Sequence, residues 1–248
     1  MQREGFRVTA AFEEHHWWFR ARRDLVEAQL ARALGGRAGG ARRPRLLDYG
    51  CGTGFNLRLL ARYGEAFGAD VTNPQAEEFR SVPHERFLAI DADLAQHRGT
   101  FDVVTALDVI EHLDDDVAGL VSMRELLGPG AQLVVTVPAY DWLWSGEDVI
   151  SEHRRRYTRG TLERICRAAG LVPRFVSYFN LSILPLAAAA ILAGRVLRRG
   201  EPPRSNLRAL PPRANEWLYR AVAREARCVG RERIRLPAGA SLVARCAA

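Results

Sequence analysis

The chain has 248 residues, and 48% of them are hydrophobic, which is enough apolar material for one sizeable globular domain. Its formal net charge of +7 suggests a nucleic acid or a membrane surface as a partner. All 36 basic residues are arginine, however, so a compositional bias of the source genome explains the charge equally well. The four cysteines are scattered and form no CxxC pair, which favours ordinary buried thiols over a zinc site and suits a reducing compartment.

Residues 11–34 are predicted to form one helix, since Trp18, Arg22 and Val26 share a face at helical spacing. From residue 45 onward, short apolar segments alternate regularly with helical ones. The predicted strands are 45–49, 65–70, 86–90, 101–107, 131–138 and 171–179. The predicted helices between them are 56–63, 74–80, 115–127 and 161–169. This alternation predicts a doubly wound α/β fold that binds its ligand at the carboxyl ends of the strands.

The regular alternation ends at Asn180. Beyond it we predict an apolar helix, a Pro/Arg stretch and a second helix at 215–229. The segment AGASLVARCA, 238–247, is predicted as a final strand beside the strand of 171–179. We therefore expect a single domain with three parts, which are an N-terminal helical lid at 1–40, an α/β core at 41–180 and 236–248, and a helical insert or cap at 181–235.

The most informative stretch is LLDYGCGTGFN, in which Gly50, Gly52 and Gly54 follow a strand and open a helix. Glycines there let a ligand approach the helix N-terminus without meeting a Cβ atom. The spacing is GxGxG, and the Asp48 carboxylate just before it would repel a pyrophosphate and favour a ligand that carries a cation. Asp70 ends the next strand, where an acid can accept hydrogen bonds from ribose hydroxyls. A nucleoside that carries positive charge is S-adenosylmethionine.

From about residue 45 to 140 the chain resembles the class I S-adenosylmethionine-dependent methyltransferases. The motifs that carry the resemblance are LLDYGCGTG, the acid of FGAD, IDADLA and FDVVTALDVIEHLDD, in the family's order and spacing. The resemblance implies a Rossmann-like methyltransferase fold with a seven-stranded, mostly parallel sheet, and S-adenosyl-L-methionine as the cofactor. The cofactor-binding residues that it implies are Asp48, Gly50, Gly52 and Gly54 for the methionine part, Asp70 and Val71 for the ribose, Asp91 and Ala92 for the adenine, and Leu107 and Asp108 in the cleft. Because IDADLA is shorter than the family's pattern, Asp93 stays an alternative to Asp91.

A subset of these methyltransferases carries an H-W-W-F-x-x-R helix before the first strand and a W-S-x-x-D, then H-x-R-R-Y-T loop after the fifth. Both are found here, as HHWWFRARR and WSGEDVISEHRRRYT. The resemblance implies that Trp17, Trp18 and Phe19 form a hydrophobic lid, and that Arg20 or Arg22 reaches the cofactor carboxylate or an anionic substrate. The alternative is that the aromatic residues only dock the helix on the sheet.

Aromatic and arginine residues mixed in the loop after the fifth strand suit a substrate with flat or apolar parts and an anionic group. The predicted substrate-binding residues are Trp144, Asp148, Arg156 and Tyr157.

Methyl transfer to oxygen or nitrogen needs in-line positioning, exclusion of water and a base. Histidine has an unperturbed pKa of about 6.5, which suits a base near neutral pH. We predict His153 and His112 as the catalytic residues, because they follow the fifth and fourth strands. Helix capping or hydrogen bonding to the backbone are the structural alternatives. Glu111, His112 and the acids after them offer metal ligands, but residues 114–116 fit the acidic first turn of a helix better, so no metal is predicted.

The apolar run LSILPLAAAAILAG, 181–194, is too short to cross a bilayer as a helix, which takes roughly 20 residues. With the arginines that follow, 181–199 suits peripheral contact with an anionic membrane, which implies a lipid-linked substrate. The other interpretation is a buried cap over the site, which implies a small substrate. The first residues contain no apolar signal core, so we expect a cytoplasmic protein, with any membrane contact at the inner face.

The sequence therefore predicts an enzyme, an S-adenosylmethionine-dependent methyltransferase of small-molecule or secondary-metabolite biosynthesis that acts on a small-molecule or lipid-linked acceptor, at oxygen. One alternative is a subunit that binds the cofactor or a nucleoside without catalysis. A nucleic-acid methyltransferase is the other, suggested by the charge. Against it, ALDVIEH stands where an NPPY-like tetrapeptide would follow the fourth strand, and no RNA-binding module is recognisable, so no nucleic-acid partner is expected.

Overall fold

The computed structural model of the protein describes residues 3–35, 42–73, 77–81, 83–90, 92–197, 202, 205 and 207–248. In these residues seven strands form one sheet in the order β3-β2-β1-β4-β5-β7-β6. The strands are β1 (Arg45–Tyr49), β2 (Glu65–Asp70), β3 (Phe87–Ala89), β4 (Phe101–Leu107), β5 (Leu127–Pro138), β6 (Val172–Phe179) and β7 (Ser241–Ala247).

The sheet is mostly parallel, as predicted. The pairs β1–β2, β1–β4, β2–β3 and β4–β5 are parallel, whereas β7 runs antiparallel to both β5 and β6. The predicted place of the last strand beside β6 is confirmed, and β7 also separates β6 from β5. The strand order reverses between β1 and β4, where a doubly wound sheet leaves a crevice at the carboxyl ends of its strands.

Alternating side chains of the strands serve two hydrophobic cores, one on each face of the sheet. Leu46 and Val103 lie in the same cluster as residues of α2, whereas their neighbours Leu47 and Val104 lie in the other cluster. All seven residues of β4 are buried, as expected for a strand with helices on both faces.

The α-helices of the described residues are α1 (Arg3–Phe12), α2 (Trp17–Leu34), α3 (Leu57–Leu60), α4 (Asp116–Glu125), α5 (Gly146–Ile150), α6 (Arg159–Ala168), α7 (Leu184–Leu197) and α8 (Pro212–Gly230). The helices α2, α3 and α8 contribute to the core on one face, and α4 and α6 to the core on the other. The predicted helix of 56–63 is shorter than expected, since only α3 is α-helical. The predicted helix of 74–80 includes 74–76, which lie outside the described residues.

The single helix predicted over 11–34 is wrong, because α1 and α2 are separate and a turn joins them. Residue His16 has an extended backbone (ψ 136°) and caps α2, and its Nδ1 accepts the N–H of Trp18 at 3.4 Å. The N–H of Trp17 is taken by the side-chain oxygen of Asn215 on α8 at 2.8 Å. The helical period of the sequence cannot reveal this break, because the second partner is nearly two hundred residues away.

Helix α2 packs against α8. The Gln29 side chain donates to the carbonyl of Gly230 at 2.7 Å, and a Cβ atom at Gly230 would lie 2.8 Å from the carbonyl oxygen of Leu25, so glycine permits the close approach. In the described part of the chain, no helix is long and apolar enough to cross a bilayer.

Candidate functional site

A cavity of about 360 Å³ opens at the carboxyl ends of β1, β4 and β5. Its floor includes the loop after β1, Leu107 at the end of β4 with Asp108 just after it, and Pro138 at the end of β5. Residues of α1, α2 and α7 cover it. The cavity therefore lies at the crevice where the strand order reverses, which is where the sequence places the ligand.

The glycine loop forms one wall of this cavity. Gly50, Gly52 and Gly54 all have left-handed backbone conformations, with φ of 70°, 55° and 79°. A Cβ atom at Gly50 would lie 2.6 Å from the Val109 side chain, whereas one at Gly52 would meet nothing within 4 Å. Gly50 and Gly52 line the cavity, and Gly54 is not among its lining residues in the described structure. The loop thus exposes bare backbone to the space in front of it.

Asp48 lies beneath the loop and is only 1% exposed. Its carboxylate accepts a hydrogen bond from the Thr105 hydroxyl at 2.7 Å and another from the Asn56 side chain. Burial raises the pKa of Asp48 to about 6, against these hydrogen bonds and the pull of Arg22. An ionised Asp48 is therefore poorly compensated, and a cation placed over the loop would stabilise it.

Asp70 ties the glycine loop to the end of β2. One of its oxygens accepts the N–H of Gly52 at 2.7 Å, and the other accepts the N–H of Val71 at 2.8 Å. Burial raises the pKa of Asp70 in spite of these bonds. Val71 is 53% exposed, and in the described structure neither it nor Asp70 is among the lining residues of the cavity.

The predicted adenine-binding residues follow β3. Asp91 lies outside the described residues. Ala92 is exposed in the turn, and Asp93 uses its carboxylate to accept the N–H of Ala89 at 2.8 Å. Asp93, the alternative to Asp91, thus has a local structural partner.

The helix α2 brings Arg22 and Trp18 to the mouth of the cavity. Arg22 is nearly buried and forms an ion pair with Asp108, and its guanidinium lies 4.5 Å from the Trp18 ring centroid. Asp108 has a φ of 57°, rare for a residue with a side chain, and its other oxygen accepts a hydrogen bond from Thr136 at 3.2 Å. The N-terminal aromatic helix was predicted to lie over the cofactor cleft. In the structure, α2 contacts the residue that follows β4 through the ion pair of Arg22 and Asp108.

Both predicted catalytic histidines line the cavity and lie next to each other. The rings of His112 and His153 are 4.7 Å apart and nearly perpendicular. Nδ1 of His153 lies 2.9 Å from a carboxylate oxygen of Asp148, and the His112 ring bonds to the backbone of Glu152. Burial, followed by repulsion from His153, lowers the pKa of His112 to about 4. His112 is therefore a neutral imidazole at physiological pH.

Glu111 stands beside the two histidines and is completely buried. Among the described residues neither of its carboxyl oxygens has a hydrogen-bond partner. Burial, and then repulsion from Asp108, raises the pKa of Glu111 well above its usual range. One ligand atom from each of Glu111, His112 and His153 lies within 4.8 Å of the others. These three side chains form the triad at the cavity wall.

Asp148 anchors the loop after β5. It is fully buried and receives two hydrogen bonds from Arg156, at 2.7 and 2.9 Å, and one from the backbone of Ser145 at 2.7 Å. Burial raises the pKa of Asp148, but the hydrogen bonds from His153 and Arg156 together outweigh it and hold this pKa well below its usual range. Asp148 is therefore ionised and fixes His153, whereas Arg156 itself lines the cavity.

The other two predicted substrate-binding residues are placed differently. Tyr157 is buried in the core, where its hydroxyl donates to Asp116 at 3.0 Å. Trp144 is half-buried, and its carbonyl accepts a hydrogen bond from Arg195 at 2.8 Å. In the described structure neither is among the residues that line the cavity.

A family model described as a methyltransferase domain matches residues 15–174, more than half of the chain. The chain belongs to this methyltransferase-domain family. The match begins in the HHWWF run and ends within β6, so it includes the glycine loop, the triad and Asp148.

Two curated relatives of the methyltransferase-domain chain are named ubiquinone biosynthesis O-methyltransferase. The protein from Cereibacter sphaeroides (strain ATCC 17025 / ATH 2.4.3) is 39% identical over 97 residues, which are 36% of this chain and 39% of that protein. The protein from Aromatoleum aromaticum is 28% identical over 187 residues, 63% of this chain and 77% of that protein. The match thus spans about two fifths of the length of the first of these relatives.

Among solved structures, a SAM-dependent methyltransferase from Archaeoglobus fulgidus is similar to this methyltransferase-domain chain with a TM-score of 0.52 and 19% identity, over 91% of this chain and 94% of that one. The predicted Rossmann-like methyltransferase fold is confirmed.

In this methyltransferase-domain protein the place of Glu13 in the site was not predicted, and the interpretation of 181–235 as a cap named no lining residues. Glu13, in the turn after α1, accepts a hydrogen bond from the Thr53 hydroxyl of the glycine loop at 2.6 Å, and burial raises the pKa of Glu13. Ile183, Ala187 and Ile191 line the cavity from α7 and the turn before it. Only the spacing of these three apolar residues, one helical turn apart, could have indicated their shared face.

Proposed function

We propose that this methyltransferase-domain protein transfers a methyl group from S-adenosylmethionine to a hydroxyl oxygen of an apolar, lipid-linked acceptor. The observation that carries the proposal is that the glycine loop, with Asp48 beneath it, and the histidine pair face one cavity. The relatives named O-methyltransferase support oxygen as the acceptor atom.

The residues around the glycine loop fit S-adenosylmethionine. Bare backbone at Gly52 leaves room for close approach, and the poorly compensated Asp48 below it favours a ligand with a positive charge. Arg22 and Asp108 offer opposite charges at the mouth of the cleft, which suits an amino acid group that carries both an ammonium and a carboxylate. When bound, S-adenosylmethionine supplies an electrophilic methyl group on a sulfonium.

The chain's own contribution begins with the proton of the acceptor hydroxyl. Because ionised Asp148 can only accept a hydrogen bond, Nδ1 of His153 is the donor in this contact, and Nε2 is the nitrogen left for the acceptor hydroxyl. We propose that Nε2 of His153 takes the hydroxyl proton, next to the neutral ring of His112. The aromatic face of α2 covers the cleft and excludes water from this step.

The roof of the cavity supports an acceptor with a large apolar part. Ile183, Ala187 and Ile191 face the cavity from one side of the roof. The opposite side of α7 is also apolar, since Leu186, Leu192 and their exposed neighbours between Ser182 and Arg195 carry no polar group. A helix on the surface of a soluble protein normally has a polar outer face.

We propose that an anionic membrane covers the outer face of α7. Leu197 at its C-terminal end is 80% exposed, and Arg195 beside it donates to the carbonyls of Trp142 and Trp144. Trp142 is 48% exposed, so an aromatic ring and a cation flank the apolar face, as is typical of interfacial helices. The acceptor would then enter the cavity from the bilayer.

Cofactor binding is tested by calorimetric titration of the purified chain with S-adenosylmethionine and with its demethylated product. Alanine at Asp48 or at Asp70 should weaken both affinities at least about tenfold, because Asp48 supplies the negative charge beneath the loop and Asp70 holds the loop through the N–H of Gly52. Glu163→Ala on α6 is the matched control, because this acid lies on the surface and pairs with Arg167 in the next turn. Unchanged affinity in both loop variants would contradict the proposal. The acceptor is tested separately, by measuring the transfer of a labelled methyl group from S-adenosylmethionine to the components of a lipid extract.

Membrane contact is tested by co-sedimentation with phosphatidylglycerol and phosphatidylcholine vesicles. Replacing Leu186 and Leu192 together by glutamate should abolish binding to the anionic vesicles and leave cofactor affinity unchanged. Val172→Glu is the control, because this exposed apolar residue lies at the start of β6, whereas α7 follows the end of that strand. Equal vesicle binding by all three proteins would show that α7 does not meet the membrane.

A further inference from the structure

Glu111 is a buried acid whose carboxyl group has no stabilising hydrogen bond among the described residues. Its side chain is wholly inaccessible, and in the described structure both carboxyl oxygens lack a hydrogen-bond partner. Burying a carboxyl group without hydrogen bonds is costly, and a ligand that pairs with the group would offset this cost. The two histidines beside Glu111 are partly exposed and line the cavity, so a small ligand can approach the carboxyl group from their side.

The two histidines beside Glu111 are held as metal ligands usually are. A ligating histidine donates its second ring N–H to a carboxylate or a backbone carbonyl, which fixes the ring and frees the other nitrogen. His153 has Asp148 as this outer partner, at 2.9 Å, and His112 has the backbone of Glu152. Both rings are therefore oriented from outside, with one nitrogen each left for the cavity.

We propose that Glu111, His112 and His153 form a binding site for a divalent transition metal ion of the zinc type, with open coordination positions that face the cavity. Two histidines and one carboxylate are a ligand set for Zn²⁺ and for neighbouring first-row ions, and three protein ligands leave room for a substrate oxygen. Ligand atoms around tetrahedral zinc lie about 3.4 Å apart. The three present atoms lie within 4.8 Å of one another, so side-chain movements of about an ångström close the site.

This inference rests on the proposed function for one point, the role of the ion. An acceptor hydroxyl that coordinates the ion loses its proton more readily, because the metal stabilises the oxyanion. The O–H bond breaks, its electron pair stays on oxygen, and the proton passes to water. In the metal-bound form His153 is then a ligand, and coordination replaces the proton transfer to its Nε2.

The test uses the full chain, stripped with a chelator and titrated with Co²⁺ while its visible d–d absorption is recorded. We expect one equivalent of Co²⁺ to bind and Zn²⁺ to displace it. Glu111→Gln and His153→Asn should each bind at least about 100-fold more weakly, since loss of an outer partner alone costs 10- to 100-fold. His15→Asn, at an exposed histidine in the turn between α1 and α2, is the matched control and should bind as the unchanged chain does.

The outcomes separate this proposal from the proposed function. Calorimetric binding of S-adenosylmethionine by the Glu111 and His153 variants shows that they are folded. If the unchanged chain binds no Co²⁺, or if these variants bind it equally well, the metal site is refuted. If the metal site is refuted but the unchanged chain binds S-adenosylmethionine, His153 remains the proposed proton acceptor. If the unchanged chain binds Co²⁺ at the triad but does not bind S-adenosylmethionine, only the proposed function is refuted.

Discussion

Replacing Asp48 by asparagine should stabilise the ligand-free protein at neutral pH and weaken the binding of S-adenosylmethionine. Asp48 is buried beneath the glycine loop, and burial raises its pKa to about 6 from an ordinary value of 3.8. Asparagine has the same shape, is never charged, and keeps an oxygen that can accept the hydrogen bond from Thr105. The substitution therefore removes the charge and little else.

The size of the effect follows from the difference between the two pKa values. It is about 2 units, and each unit corresponds to about 1.4 kcal/mol, so ionised Asp48 costs the folded protein about 3 kcal/mol. A group whose pKa is raised by folding binds its proton more tightly in the folded state. The cost of Asp48 is thus absent below about pH 4, grows between pH 4 and 6 and is complete above pH 6.

The assay is urea unfolding of both proteins at about pH 4 and pH 7.5. Asp48→Asn should raise the free energy of unfolding by up to about 3 kcal/mol at the higher pH and leave it unchanged at the lower. Asp102→Asn is the contrasting control, because this buried acid has a two-bond ion pair with Arg42 and its loss should destabilise. A loss of stability in the Asp48 variant at pH 7.5 would refute the reasoning, since it would mean that the carboxylate is well compensated without a ligand.

Three further substitutions test other parts of the structure. Gly52→Ala should lower stability by about 1 kcal/mol, because φ is 55°, and weaken cofactor binding in calorimetry; unchanged binding would show that the ligand does not approach the loop. Tyr157→Phe removes the hydrogen bond to Asp116 and should cost about 1 kcal/mol in urea unfolding without changing cofactor affinity; a loss of acceptor affinity alone would instead support the predicted substrate role. Glu225→Gln weakens the acceptor for the backbone N–H groups of residues 181–182, at 2.9 and 2.8 Å, so limited trypsin digestion should cut the insert faster; an unchanged cleavage rate would contradict this anchoring role.

The sheet and the glycine loop could be predicted because their determinants are local. A strand buried on both faces is a short and mostly apolar run: all seven residues of β4 are buried, and five of them are apolar. Glycine is the residue that accepts three left-handed positions in one tight loop. The strands β1, β2 and β4 accordingly have their predicted bounds.

The rest of the site depends on contacts between distant segments. Arg156 and Tyr157 stand next to each other in the same motif, yet one lines the cavity and the other is core, because neighbours in an extended backbone point to opposite sides. The spacing of Ile183, Ala187 and Ile191 puts them on one face of α7, but the sequence does not show that this face is the inward one, since both faces are apolar. Glu111 stands out because its carboxyl oxygens have no hydrogen-bond partner in the described structure, and a sequence does not show which partners a side chain lacks.

The segment between β6 and β7, which carries the roof of the cavity, has a consequence for how such proteins diversify. Phe179 at the end of β6 pairs with Ser241 at the start of β7, and the two strands are antiparallel. Residues 180–240 are therefore one long connection between two neighbouring strands. Closing a longer or shorter connection changes the entropy of folding only slowly with its length. The part of this connection that carries α7 can therefore change in length while α8 stays packed against α2 and the floor of the cavity stays as it is, so the range of acceptors can change independently of the methyl donor.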